Sequence, residues 1–259
     1  MRTFVLVTGH KGVGKDAFAS FLCVCLPSST HFSISSYVHK AVATLLGVSE
    51  DWVRLFKDKE VVQVAGKEVT IRELLQRLGT EVGRHMFGPE CWLRMLYEDI
   101  AESSERFVVV TGIRFVNEVE FFKARGHTVV CEIRRPGYEG DGHVSEKGLD
   151  ESLVDFVVNN GGTIEDLREQ ARQIARKVRR SRLVELLADL EHQQWEFWSK
   201  AIASHLTTSG NIEEALQKKV ERWKTLWVPY TQLSEKEKDS DRVWAEKVLQ
   251  AIESEVDLL

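Results

Sequence analysis

The sequence predicts an α/β protein, a five-stranded parallel sheet with helices on both faces, followed by a small all-α C-terminal module. Three observations predict it. Over the first 180 residues, short β-branched apolar runs alternate with helical patterns, the order that a parallel sheet covered by helices produces. A glycine-rich turn, Thr8-Gly9-His10-Lys11-Gly12-Val13-Gly14-Lys15-Asp16, separates the first apolar run from the first helical stretch. From Leu183 the periodicity is helical throughout, with no strand signal of any strength.

Phe4 to Val7 is the first strand, and Ala17 to Leu26 the helix after the turn. A weaker strand signal lies at His31 to Ile34, and Val38 to Leu46 is helical. Val61 to Thr70, with Ala65-Gly66-Lys67 at its centre, reads as a small hairpin. Helical spacing then covers Ile71 to Met86 and Cys91 to Ser103. Phe107 to Val110, Thr128 to Ile133 and Phe156 to Val158 complete the strands, with a helix at Val116 to Ala124 between the first two. A long helix starts at Thr163, where Asp166 three residues on gives a capping-box-like start, and runs to about Leu190. No Pro or Gly linker marks a boundary near 180, so a continuous helix is expected to lead from a first unit, 1–180, into a second, 181–259.

The chain has 259 residues, 43% hydrophobic and 29% charged, which fits one sizeable core and a smaller unit. No run of 18 uncharged apolar residues suggests a membrane span, and the N-terminus enters a strand with no signal-like segment before it, so a cytoplasmic protein is expected. Cys23, Cys25, Cys91 and Cys131 match no zinc spacing and read as reduced, buried thiols. Residues 181–259 hold 10 basic and 15 acidic side chains and carry the whole net charge of −5, which supports two units. Five of the seven tryptophans also fall there, Trp195, Trp198, Trp223, Trp227 and Trp244. A small helical unit needs such large side chains to close its core.

The glycine-rich turn fits the phosphate-binding loop G-x-x-x-x-G-K, with Asp16 where a Ser or Thr usually stands. Its glycines let successive N–H groups and the helix start face the phosphates of a nucleotide, and Lys15 neutralises the β- and γ-phosphates. The implied nucleotide contacts are Gly9, Lys11, Gly12, Val13, Gly14, Lys15, Asp16 and Ala17. Asp16 is expected to reach a magnesium ion, the alternative being a charge interaction with the helix N-terminus. Arg114 follows a strand end at the carboxyl edge of the sheet, where ligands of open α/β sheets bind. Glu118, one turn on, is a candidate salt-bridge partner for it. Arg134 and Arg135 precede Pro136-Gly137 and a polar, glycine-containing loop through His143, the make-up of a lid that closes arginines on a transferring phosphoryl group. Each of the two alone reads equally as surface charge, and together at a strand end they favour the lid.

Several blocks in order resemble phage deoxynucleoside monophosphate kinases and, more distantly, animal-type phosphomevalonate kinases. They are the G-K-D loop, Leu74-Leu75-Gln76-Arg77-Leu78-Gly79-Thr80-Glu81 with Arg84 and Cys91-Trp92, Ile113-Arg114-Phe115-Val116-Asn117-Glu118, Arg134-Arg135-Pro136-Gly137, His143-Val144-Ser145-Glu146 and Asn159-Asn160-Gly161. The resemblance covers residues 1 to about 178 and implies a P-loop kinase core that uses ATP and magnesium to phosphorylate a deoxynucleoside monophosphate. Lys15, Asp16, Arg114, Arg134 and Arg135 are then the catalytic set. Ser35, Lys40, Gln76, Arg84, Trp92 and Arg114 stand at the acceptor, and Asn160 is a turn residue near the adenine. Two features differ from the pattern or leave it open: Gly112 replaces an acidic residue two positions before Arg114, and Arg77 reads equally as a solvated side chain. A different acceptor, phosphomevalonate or a hydroxymethylated base in DNA, and a nucleotide sensor with little turnover, are the alternatives.

Arg168, Arg172, Arg176 and Arg180 form a basic stripe at i+4 spacing. It could meet nucleic acid, but neighbouring Glu165, Asp166 and Glu169 favour a solvated helix face. Trp227 to Arg242 is similar to the repeat module first described in ryanodine receptors, over roughly residues 185 to 255, and implies a binding or packing module of unknown ligand. A homodimer is compatible with the sequence, and no membrane partner is expected.

Overall fold

In a computed structural model, the described residues are 2–138, 148–208 and 212–226, with isolated positions from 234 to 254. The chain divides into two compact units, Met1–Val178 and Arg179–Leu259.

In the first unit, β1 (Thr3–Thr8), β2 (Ser29–Ser33), β5 (Phe107–Thr111), β6 (His127–Arg134) and β7 (Phe156–Asn159) form one sheet in the order β2-β5-β1-β6-β7. Every pairing in it is parallel. β1 is central and wholly buried because alternate residues serve two cores. Val5 and Val7 face α1 (Lys15–Cys25) and the first turns of α7 (Ile164–Thr208), where Phe18, Leu22, Leu167 and Ala171 are buried. Phe4 and Leu6 face α5 (Cys91–Glu102) and α6 (Val116–Lys123), packing with Leu93, Leu96, Val119 and Phe122.

A third cluster, around Val42, Val53 and Ile71, joins α2 (Ser35–Leu46), α3 (Glu50–Phe56), the hairpin β3 (Val61–Val64) and β4 (Lys67–Thr70), and α4 (Ile71–Gln76). The hairpin lies where the sequence predicts it, and α3 was not predicted. Its N-cap is Ser49, whose side chain accepts from the Trp52 amide at 3.2 Å. The single helix predicted over Ile71 to Met86 is instead α4 followed by a π-helical segment, Arg77–Met86. Gly79 and Gly83 put no side chain into this wider coil, and the Gly79 carbonyl accepts from the Trp92 indole at 2.8 Å.

The start of α7 has the predicted reciprocal cap: the Asp166 amide donates to Thr163 Oγ1 at 3.2 Å, and the Thr163 amide to the Asp166 carboxylate at 2.7 Å. Arg168 and Arg172 of the basic stripe are paired with Glu165 and Glu169. None of the cysteines is bridged. Cys131 is fully buried in the sheet, whereas Cys23, Cys25 and Cys91 are only partly covered.

In the second unit, α8 (Ile212–Leu226) follows α7, and the Phe197 and Trp244 rings lie 6.4 Å apart. The Lys247 ammonium stands 3.9 Å from the centroid of the Trp244 ring. Apart from Ser234 and Lys236, the segment Trp227 to Arg242 lies outside the described residues, as do His143, Ser145 and Glu146. No helix among the described residues is long and apolar enough to cross a membrane.

Phe122 is fully buried, with its ring 5.0 Å from Phe4 and 5.5 Å from Phe121. Phe122→Ala is expected to destabilise the first unit by about 3–5 kcal/mol, measured as a lower midpoint in urea.

Candidate active site

The carboxyl ends of β1, β2 and β5 open onto one cleft of about 450 Å³. After β1 the chain turns at Gly9, with φ +131°, and a Cβ there would stand 2.3 Å from the Ile133 carbonyl oxygen. Only glycine passes this close to β6. α1 then begins after Gly14 with no side-chain cap, so its first amides are left for a ligand. The Lys15 ammonium donates to the Gly9 and His10 carbonyls at 2.8 and 2.6 Å, and Arg114 Nη1 donates to the same Gly9 oxygen at 3.0 Å. Two cations, one from α1 and one from the segment after β5, thus converge on one point of the loop.

Of the residues expected at the site, Lys11, Gly12, Gly14, Lys15, Asp16, Ala17, Ser35, Gln76, Trp92 and Arg114 line the cleft. Gly9 and Val13 are buried within the loop itself. Asn160 is tied to the loop, its side-chain amide donating to the Val13 carbonyl at 2.7 Å.

Four more expected residues lie outside the cleft lining. Lys40 is exposed on α2 and lies outside the cleft lining. Arg84 does not line the cleft either. Its guanidinium pairs with Glu118 at 3.0 Å, donates to Asn117 at 2.8 Å and covers the Phe115 ring at 3.7 Å. Arg134 is exposed and paired with Glu132 and Glu151. Arg135 stacks 4.7 Å from the Tyr138 ring, which itself covers Gly12, since a Cβ at Gly12 would meet that ring at 2.8 Å. Arg77 is exposed and paired with Glu73.

Two cations of the lining, Lys57 and Arg72, were not found in the sequence. Lys57 sits in the charged run Lys57-Asp58-Lys59-Glu60, which reads as a solvated turn. Burial lowers its pKa from the ordinary lysine value. Arg72 precedes the L-L-Q-R-L-G-T-E block by two residues, a proximity that was the available signal.

Glu118 is 4% exposed. Its carboxylate accepts from the Arg114 and Phe115 amides at 2.7 and 3.1 Å and pairs with Arg84, and the Arg114 charge also favours its ionised form. Burial pushes its pKa up, and these amides and Arg84 oppose that push. Gly112 has φ +88°, a conformation in which an acidic side chain is strained. The Asp16 carboxylate is exposed and has no hydrogen-bond or ion-pair partner among the described residues, while its carbonyl accepts from the Ser20 hydroxyl at 2.9 Å. No cluster of three His, Cys, Asp or Glu side chains suited to a metal occurs among the described residues.

A family profile described as deoxynucleotide monophosphate kinase matches residues 48–171. The deoxynucleotide monophosphate kinase of Escherichia phage RB69 is 32% identical over 121 residues, 46% of this chain and 50% of the phage protein. That of Enterobacteria phage T4 is 28% identical over 122 residues, 46% of this chain and 51% of its own length. A protein of Acanthamoeba polyphaga mimivirus assigned to the same class is 30% identical over 176 residues, 62% of this chain and 90% of that protein. The chain belongs to the deoxynucleotide monophosphate kinase family. It spans about half the length of the two phage relatives it matches. In this member of the deoxynucleotide monophosphate kinase family, the matched span carries Lys57, Arg72 and Arg114 of the cleft, while the glycine loop precedes it.

His39 is 7% exposed, with Nδ1 donating to the Ser35 carbonyl at 2.6 Å, and His31 Nε2 lies 3.0 Å from Thr111 Oγ1. Burial lowers both imidazoles below 6.5. The unfolded chain therefore takes up protons that the folded one refuses, so stability is full above about pH 6.5 and falls as the pH drops toward the folded values. Urea midpoints at pH 7.5 and 5.5 should show this loss, and His39→Gln should flatten it. Glu118→Gln, which leaves Arg84 without its buried counter-charge, is expected to lose about 3–5 kcal/mol. Adding Arg84→Met should recover part of that loss in the same assay.

Proposed function

We propose that the chain transfers the γ-phosphoryl group of ATP to a deoxynucleoside monophosphate and releases the diphosphate. One observation carries the reading: five cations, Lys11, Lys15, Lys57, Arg72 and Arg114, line a single cleft together with the phosphate loop and the apolar side chains of Val38, Leu75 and Trp92. Three of them surround the loop and suit the donor. Lys57 and Arg72 line the same cleft as Gln76 and Trp92 and suit a monophosphate whose base needs a flat wall.

The loop amides and Lys15 hold the β- and γ-phosphates. Arg114, fixed on the Gly9 carbonyl, meets the charge that spreads over the transferring group. Arg135, stacked on the tyrosine that covers Gly12, is the arginine placed to close over the loop. Arg134 is occupied by Glu132 and Glu151 and is left out of the transfer, and Arg84, held by Glu118 and Asn117 outside the cleft lining, acts on the site through the Glu118 that fixes the Arg114 segment. Asp16, an exposed carboxylate in the first turn of α1, fits a magnesium ion that keeps most of its oxygen ligands from phosphate and water. Magnesium held there supplies charge neutralisation and orientation of phosphate oxygens. The second unit is read as a binding or packing module, supported by its Phe197–Trp244 contact.

Labelled ATP with magnesium and each of the deoxynucleoside monophosphates in turn should give a labelled diphosphate with at least one of them. Label found only in polymeric DNA, or ATP binding with no acceptor in the screen, would overturn the reading. Lys15→Met and Arg114→Ala should each lower kcat by about 100- to 1,000-fold, measured at saturating ATP.

A further inference from the structure

Asp58, just past α3, has no part in the transfer described above, yet it joins the phosphate loop to α4 beside the cleft. Its Oδ1 accepts from Lys11 Nζ at 2.6 Å and from Arg72 Nε at 2.8 Å, and Arg72 Nη2 reaches the same oxygen. Lys11 belongs to the phosphate loop. Arg72 stands on α4, in the piece held together by Val42, Val53 and Ile71. Both cations line the cleft. Burial pushes the Asp58 carboxyl up, but Lys11 and Arg72 outweigh it and hold the group below its ordinary value.

The contact contributes little as a stability device, because the Lys11, Asp58 and Arg72 side chains are 43%, 41% and 27% exposed. Its consequence is electrostatic. One carboxylate oxygen occupies two cations that phosphates would otherwise take. A phosphate arriving at Lys11 brings negative charge beside that oxygen, and like-charge repulsion drives the carboxylate out of the junction. Arg72 is then released to an acceptor phosphate. An acceptor arriving first at Arg72 frees Lys11 in the same way.

Resting on the donor–acceptor reading of the cleft, we propose that Asp58 is a positioning residue that couples the two nucleotide sites. It makes the first nucleotide displace a shared clasp and lets the second bind without that work. The coupling is positive and, being a difference of binding free energies, equal in both directions.

Equilibrium binding of a non-hydrolysable ATP analogue and of a deoxynucleoside monophosphate, each alone and together, tests this on the full chain. The unsubstituted protein should show each ligand tightening the other by about two- to fivefold. In Asp58→Asn and Asp58→Ser, each ligand alone should bind more tightly, by up to about fivefold, and the mutual tightening should vanish. Glu73→Gln removes the same charge from α4, away from the clasp, and should behave like the unsubstituted protein. The inference is overturned if the unsubstituted protein binds both ligands independently, if the Asp58 variants keep the tightening, or if Glu73→Gln also loses it. Failure to bind either nucleotide would instead remove the donor–acceptor reading itself, and this inference with it.

Discussion

Lys15 and Arg114 donate to one backbone oxygen, the carbonyl of Gly9, and the rest of the site is arranged around that meeting point. The two side chains come from α1 and from the segment after β5, separated by nearly a hundred residues. They converge because β1 and β5 are adjacent parallel strands whose carboxyl ends lie at one edge. The sheet can hold that edge in place because both of its faces are covered, by α1 and α7 on one side and α5 and α6 on the other. A close-packed interior resists small displacements. The position of the cations is therefore a property of the core as much as of the loop.

Glu118 shows how charge is used one layer further in. A buried carboxylate is expensive, and burial does push its pKa upward. It is held by two amides and by Arg84, all aimed at it from the start of α6 and from the π-helical segment. Such a pair is weak as a source of stability against an apolar replacement. Its use is to fix the backbone at Arg114 and Phe115, and so the direction in which the Arg114 side chain leaves toward Gly9. The π-helical segment matters for the same reason, since Arg84 stands on it and Trp92 is bonded to its Gly79 carbonyl.

β1, β5 and β6 and the loop were legible in the sequence because a strand buried on both faces must be apolar at nearly every position, and Val5 to Val7 or Val108 to Val110 leave little else to read, whereas β2, half-buried and mostly polar, gave only a weak signal. Asp16, Lys15 and Arg114 were legible because motif position fixes them locally. α3 was not, since seven residues with three charges, Glu50, Asp51 and Arg54, followed by Lys57, give no clear stripe. The π-helical segment was hidden because the apolar spacing of Ile71, Leu74, Leu75 and Leu78 is an ordinary helical one until Gly79. Arg84 and Lys40 were assigned to the acceptor from residue type and block position, but a cation's partner is set by tertiary packing: Glu118 and Asn117 take Arg84, and the turn of α2 leaves Lys40 outside. The same packing, acting through the Val42, Val53 and Ile71 cluster, brings Lys57 and Arg72 to the cleft from a segment that looks like surface.

Gly112 is where the family pattern and this chain part, and the chemistry of the proposed acceptor explains why the difference is tolerable. A phosphate monoester loses its second proton with a pKa of about 6, so at neutral pH the attacking oxygen of a monophosphate already carries its negative charge. No general base is required to generate the nucleophile. What the reaction needs is that two anions be held together, which calls for cations and orientation rather than a second carboxylate. The backbone at Gly112, with φ +88°, is shaped for the turn into Arg114, and an acidic side chain there would add negative charge to a cleft whose proposed work is to gather phosphates. With Glu118 buried and engaged, Asp16 is the exposed carboxylate of the cleft lining. A single carboxylate on the donor side is enough for a metal whose remaining ligands come from phosphate and water, so the losing side of the trade at Gly112 is one the chemistry does not use.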